Sequence, residues 1–153
     1  MRVEAKLKEM GLTLPPPPPP VANYVRAVRS GNLVFLAGHG PRRADGTWIT
    51  GKVGKDMTVE QAYEGAKQVA LNLLASLKEH LGDLDKVKRI VKVLCMVNAV
   101  PEFTQHPQVA NGASDLLVAL YGEAGRHARS AVGMGSLPNN ICVEIEMIVE
   151  VSG

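Results

Sequence analysis

Aromatic side chains are scarce in this chain: one Trp, three Tyr and two Phe among 153 residues. That is too few platforms to track a single-stranded nucleic acid by base stacking. An excess of one charge is missing too, since 17 Lys and Arg face 15 Asp and Glu for a net +2. A dedicated nucleic-acid binder is expected to be far more basic, so a small or neutral partner is favoured. Cysteine is limited to Cys95 and Cys142, each in an apolar run without C-x-x-C or His/Cys ligand spacing. This argues against a disulfide framework or a zinc site and predicts buried, reduced thiols. No apolar stretch approaches the ~20 residues of a membrane span, and the first ten residues are too charged for a secretory signal. The expected compartment is the cytoplasm.

Apolar residues, by contrast, make up 46% of the chain, enough to bury one domain-sized core without staples. Residues 3 to about 10 read as one or two amphipathic helical turns. Leu14 and the unbroken run Pro15 to Pro20 follow. Six consecutive prolines fix φ and remove backbone donors, which predicts an extended arm lying over its own domain. The chain thus divides into an arm over residues 1–20 and a domain over residues 21–153.

Within the domain, Tyr24 to Arg29 and Asn32 to His39 read as two strands around a tight Ser30-Gly31 turn. Asp45-Gly46 marks a turn before a third short segment with Trp48 and Ile49. Thr58 and Gln61 have capping-box spacing, and Ala62, Ala66, Val69, Ala70, Leu73, Leu74, Leu77 and Leu81 form one helical stripe ended by Gly82. Val87 to Val100 is rich in β-branched residues and reads as a strand. A second helix is predicted from about Gln108 to Tyr121, stopped by Gly122. Two final strands, His127 to Gly135 and Ile141 to Val151, are joined through Ser136-Leu137-Pro138-Asn139-Asn140. The order is β-β-β, α, β, α, β-β, so a mixed α+β sheet with two helices on one face is expected.

Two nucleotide-like motifs fail on inspection. Gly38-His39-Gly40 follows a strand, yet Pro41-Arg42-Arg43 stands where a helix with a third glycine is needed. Gly46 to Lys52 spells G-x-x-x-x-G-K, but Val53 replaces the magnesium-holding hydroxyl and Gly54 spoils the helix start.

Alternation sorts the last strand into Ile141, Val143, Ile145, Met147, Val149 and Val151 on the helix side, with Cys142, Glu144, Glu146, Ile148 and Glu150 opposite. If the last two strands form a hairpin, Ala128, Ser130, Val132 and Met134 are packed. Arg129 then shares the open face with Glu144 and Glu146. This is either an ordinary cross-strand ion pair or a pocket, because Ala131, Gly133 and Gly135 leave room for a ligand. A forked guanidinium suits a carboxylate, and a nearby Glu suits a water or an amine. The register is left open by a possible bulge.

Several runs together resemble the RidA/YjgF/L-PSP family over nearly all of residues 21–151. They are Tyr24, Ser30-Gly31-Asn32-Leu33-Val34-Phe35-Leu36-Ala37-Gly38, Gly46 with Gly51, Asn111, Ala128-Arg129-Ser130-Ala131-Val132, Leu137-Pro138 and Val143-Glu144-Ile145-Glu146. The resemblance implies a chorismate-mutase-like α+β domain assembled as a homotrimer with clefts between subunits. It also implies hydrolysis of reactive 2-imino acids to 2-oxo acids and ammonia, with neither metal nor organic cofactor. By position, Arg129 would grip the substrate carboxylate and Glu144 would orient the attacking water. Ala131 would add a backbone donor, and Tyr24, Gly38, His39 and Asn111 would line the cleft. Ala131 stands where the family usually carries cysteine, His39 where glutamine is common, and Gln105-His106-Pro107 belongs to an extra stretch. A non-catalytic binder of small carboxylates is the alternative. Ribonuclease or translation inhibition is a third reading, with Arg42, Arg43, Lys86, Lys88, Arg89 and Lys92 as a phosphate-tracking patch.

Overall fold

The computed structural model describes residues 2–17, 19 and 23–153. Its elements are α1 (Arg2–Glu9), β1 (Ala27–Ser30), β2 (Leu33–His39), α2 (Val59–Leu81), β3 (Val87–Asn98), α3 (His106–Tyr121), β4 (Ala128–Met134) and β5 (Val143–Val151). One sheet runs in the order β1-β2-β5-β3-β4. β3 and β4 are parallel, while β1 with β2, β2 with β5 and β3 with β5 are antiparallel. This is the expected mixed sheet under a helical layer.

The long helix α2 starts as its capping box requires. The Gln61 N–H donates to Thr58 Oγ1 at 3.2 Å, and the Thr58 N–H donates to Gln61 Oε1 at 2.9 Å. It ends where Gly82 takes φ +84 and returns its N–H to the Lys78 carbonyl at 2.7 Å, the left-handed turn glycine allows most cheaply. Leu73, Leu74 and Leu77 are fully buried, each contributing about 1.5–3 kcal/mol by its removal from water. α3 packs so closely on α2 that a side-chain carbon at Gly112 would collide with the Tyr63 carbonyl.

α1 is a third helix on this core. Val3 and Leu7 are buried, and Leu12 and Leu14 pack against the same cluster. The Asp85 carboxylate accepts the α1 backbone N–H groups of Arg2 and Val3 at 2.6 and 2.9 Å, while Lys78 pairs with Glu4 at 2.9 Å. These two backbone bonds hold the Asp85 carboxyl down at about 2. Of the proline run, Pro18 and Pro20 lie outside the described residues, as does Val21 at the expected domain boundary; Pro15, Pro16, Pro17 and Pro19 carry no helix or strand.

Three expectations need correction. The segment around Trp48 and Ile49 is not a strand but a loop fastened by the single bridges Arg42 to Trp48 and Thr50 to Ile141. The second helix starts not near Gln108 but at His106, with Pro107 in its first turn, so Asn111 sits in its second turn. The last two strands are not a hairpin: β3 lies between β4 and β5, pairing with both. The Ser136-to-Asn140 segment folds as a 3-10 turn, Pro138–Asn140, with Asn139 and Asn140 both at φ +56. The buried Asn98 amide fastens it, donating to Asn140 Oδ1 at 3.0 Å and to the Ile141 carbonyl at 3.1 Å.

The parallel pairing inverts the expected facing of β4. Arg129 stands opposite Val93 and Ala131 opposite Cys95; both β3 residues are buried in the core. Arg129, Ala131 and Gly133 therefore face the helices, and Ala128, Ser130 and Val132 face outward. The alternation read for β5 holds from Val143 onward, with Glu144 and Glu146 on the outer face. Cys142 precedes the strand and is turned inward against α2, its Sγ filling the space left by Gly65. Burial pushes both the Cys95 and Cys142 thiols up to about 12, so they are inert protonated packing groups.

Candidate functional site

The expected site residues fall into two separate groups, one at the β4 edge and one at the end of β2. The first surrounds Arg129 at the β4 edge. Its Nη1 donates to Asn111 Oδ1 at 2.9 Å and to Ser114 Oγ at 3.0 Å. Asn111 and Ser114 are three apart on α3 and so lie on one helix face, turned toward the strand. Nη1 carries two hydrogens and both are engaged. Among the described residues the Nε–H and the two Nη2 hydrogens have no partner; the Nε–H and one Nη2–H form a parallel pair along one edge that matches the two oxygens of a carboxylate.

Behind Ser114 stands His127. Its Nδ1 lies 2.7 Å from the Gly125 carbonyl and its Nε2 2.9 Å from Ser114 Oγ. A carbonyl only accepts, so Nδ1 holds the proton. Burial, opposed in part by the bond to Gly125 and reinforced by Arg129, lowers the His127 pKa, so the neutral ring receives the Ser114 hydroxyl proton at Nε2. Ser114, Val118, Arg126, His127 and Arg129 line an open hollow. Ala131, two residues along β4, packs against the core. Gly133 lies beneath the imidazole of His106, whose Nε2 would be 2.6 Å from a side-chain carbon there.

The second group is built at the end of β2. Tyr24, Gly38 and His39 line one cleft together with Arg42, Trp48 and Asn72. The half-buried Glu144 lies against the same Gly38 from the outer face: a side chain there would collide with Glu144 Oε2. Burial, and secondarily the charge of Glu146, raises the Glu144 pKa. His39 is 7% exposed, its Nδ1 donating to the Ala37 carbonyl at 2.6 Å and its Nε2 accepting from Ser76 at 2.8 Å. No ring nitrogen is left for a ligand, so His39 ties β2 to α2. Burial lowers its pKa as well.

Within one chain, then, Arg129, Asn111 and Ala131 come together, as do Tyr24, Gly38, His39 and Glu144, but the two sets do not meet. The expected placement of Arg129 beside Glu144 and Glu146 on one sheet face is overturned, because β3 intervenes and Arg129 points to the helix side. Ser114 and His127 were not picked out as site residues, although the three-residue spacing of Asn111 and Ser114 was visible on the predicted helix. Arg42, Trp48 and Asn72 carried no motif. Among the described residues no cluster of three His, Cys, Asp or Glu could hold a metal ion, and no helix is long and apolar enough to cross a membrane.

A five-stranded mixed sheet with this strand order, backed by helices and carrying an Arg at one edge, defines a protein class that comparison with known sequences identifies. Residues 4–151 match the family model described as "YjgF/chorismate mutase-like, putative endoribonuclease", and the chain belongs to that family. Protein TCP17 of Trypanosoma cruzi is 42% identical over 99% of this chain and 95% of its own length. The solved structure of Atu1372 from Agrobacterium tumefaciens, described as of unknown function, is 46% identical with a TM-score of 0.91, covering 99% of this chain and 94% of that one. Yeast Mmf1 is more distant, at 27% identity and a TM-score of 0.61 over 91% of this chain and 94% of its own; its curated sequence is named as mitochondrial.

Proposed function

We propose that this protein hydrolyses reactive 2-imino and enamino acids to 2-oxo acids and ammonia, in clefts shared between the subunits of a homotrimer. The observation that carries the reading is the Arg129 guanidinium, whose Nη1 is held by Asn111 and Ser114 while its Nε–Nη2 edge is open. An imino acid presents a carboxylate to that edge, and the backbone at Ala131 supplies a further donor. The imine carbon beside the carboxylate is already electrophilic, so fixing it next to one water supplies much of the rate.

The general base is Glu144 of a neighbouring copy, since one chain's own Glu144 faces the other side of the sheet. It takes a proton from water as the oxygen bonds to the carbon of the protonated imine and the C=N pair moves to nitrogen, giving a carbinolamine; it returns that proton to nitrogen and then takes the hydroxyl proton as the C=O forms and the C–N bond breaks. Ammonia and the 2-oxo acid are released. A raised pKa suits a carboxyl that must both accept and donate near neutral pH. Support for assembly comes from the outer sheet face, where Leu33 and Phe35 of β2 and Val132 of β4 are 36%, 42% and 40% exposed. Such a patch of apolar side chains among charges fits a partner sheet. Tyr24 of the same neighbour would close the cleft.

The test is hydrolysis of imines released in situ by an amino-acid oxidase or a pyridoxal-phosphate lyase. Wild-type protein is expected to accelerate ammonia release, and Arg129→Ala and Glu144→Gln to abolish the acceleration. An unchanged rate with folded wild type overturns the reading. Mixing Arg129→Ala chains with Glu144→Gln chains is expected to restore part of the activity.

The separation of Arg129 from Glu144 within one chain also favours a second reading, a carboxylate-binding protein without turnover. Saturable binding of 2-oxo acids with no acceleration of imine hydrolysis would select it. The expected compartment remains the cytoplasm.

A further inference from the structure

The chain contains the same small device twice. His39 and His127 each send Nδ1–H to the carbonyl two residues earlier, Ala37 and Gly125, and each accept a serine hydroxyl of a neighbouring helix at Nε2, Ser76 on α2 and Ser114 on α3. At His39 the device is buried, with His39 7% and Ser76 2% exposed, and among the described residues it passes no further than Ser76. At His127 it opens on a hollow and continues, because Ser114 Oγ also accepts from Arg129. A structural tie needs only the first arrangement. The extra link to a cation at an open edge calls for another explanation.

We infer that Ser114 and His127 are positioning residues for Arg129, holding its guanidinium so that the Nε–Nη2 edge, and not the Nη1–Nη2 end, meets the carboxylate of the ligand. This rests on the reading of Arg129 as the carboxylate holder. A serine hydroxyl on a free rotor is able to point its hydrogen at the guanidinium and repel it. His127 removes that freedom by drawing the Ser114 hydrogen to Nε2, which leaves the Oγ lone pairs for Arg129. The carbonyl of Gly125 in turn fixes the tautomer that makes Nε2 an acceptor. The chain of donors runs Arg129 to Ser114 to His127 to Gly125, in one direction. Asn111 holds the other Nη1 hydrogen, so rotation of the guanidinium would break two bonds at once.

The full-length protein is titrated with pyruvate and with benzoate, by calorimetry and by side-chain ¹⁵N NMR. Ser114→Ala and His127→Phe are each expected to weaken carboxylate binding about five- to tenfold, the worth of one oriented hydrogen bond. The double variant is expected to be no worse than either single one, because both break the same chain. His127→Gln, whose amide oxygen still accepts from Ser114, is expected to recover most of the affinity. In imine hydrolysis the losses are expected in KM and not in kcat. Folded variants that bind as wild type does, or losses that add in the double variant, overturn the inference. If wild type binds neither probe, the reading of Arg129 as carboxylate holder fails. The ligand-free spectra then decide the positioning role: a His127 Nδ1–H tautomer with restricted Arg129 N–H signals that loosen in Ser114→Ala upholds it, and identical spectra in the two proteins reject it.

Discussion

The two halves of the candidate site are built to different standards. Around Arg129 every polar atom that touches the guanidinium is itself fastened: Asn111 and Ser114 are on a packed helix, and His127 is locked at both nitrogens. Around Glu144 there is space but little restraint. Its carboxyl lies over a glycine, Gly38, and beside a second acid, Glu146. On the proposed function, a preorganised donor and a destabilised acceptor would divide two tasks: holding a substrate that carries a fixed charge, and moving protons.

The largest expected effect breaks the first half alone. Gly112→Ala drives a methyl into the Tyr63 carbonyl and must push α3 away from α2. A loss of about 3 kcal/mol or more in urea denaturation is expected. The displaced α3 carries Asn111 and Ser114 with it, so carboxylate affinity is expected to fall even at temperatures where the variant stays folded.

Gly38→Ala is the matching blow to the second half and is expected to be milder, about 1 kcal/mol, because the clashing group is the mobile end of the Glu144 side chain. Carboxylate binding is expected to survive while imine hydrolysis drops. Loss of binding equal to the loss of turnover would mean that the halves are not separate.

Acid is expected to act with opposite signs on the two histidines, one in each half, and on Glu144. His127 has a lowered pKa, so its contribution to stability is present above the ordinary histidine value and is lost as pH falls from there through its folded pKa. His39 behaves in the same way. Glu144 has a raised pKa, so its contribution is present below the ordinary glutamate value and is lost as pH rises through its folded pKa. Thermal melts between pH 8 and pH 5 should therefore lose less Tm in His39→Gln than in wild type, and Glu144→Gln should flatten the melts at lower pH.

The smallest effect serves as a control outside both halves. Asp85→Ala removes the acceptor for the first N–H groups of α1, a capping loss of about 1 kcal/mol. Carboxylate affinity is expected to stay unchanged.

Much of the fold was legible where one physical signal dominated. The capping box at Thr58 and Gln61, the stop at Gly82, and the strict alternation of Val143 to Val151 each follow from local geometry. β4 was misread because its residues are small or ambivalent: Ala128, Ser130, Ala131 and Gly133 carry too little hydrophobic contrast to declare a face. A proline- and asparagine-rich connection resembles a hairpin loop, but nothing local in Leu137 to Asn140 shows that the chain rounds the end of β3. That one topological fact inverted Arg129. Arg129 and Glu144 were named as candidates from strand alternation and the resemblance, and Asn111 and Gly38 from the resemblance alone, whereas the Ser114–His127 link depends on a contact between helix and strand that no single stretch of sequence contains.

The strand order carries a consequence for how the chain assembles. Among the described residues β2 has no sheet neighbour except β1 and β5, and β5 is about a hundred residues further along the sequence. The β1–β2 hairpin therefore has α2 to pack on but no further strand to pair with until β5 has laid itself beside β3. Loop closures of that length are slow, and the free edge of β2 stays unpaired meanwhile. Refolding should accordingly pass through a stage in which β3, α3 and β4 are protected from hydrogen exchange while β1 and β2 still exchange freely.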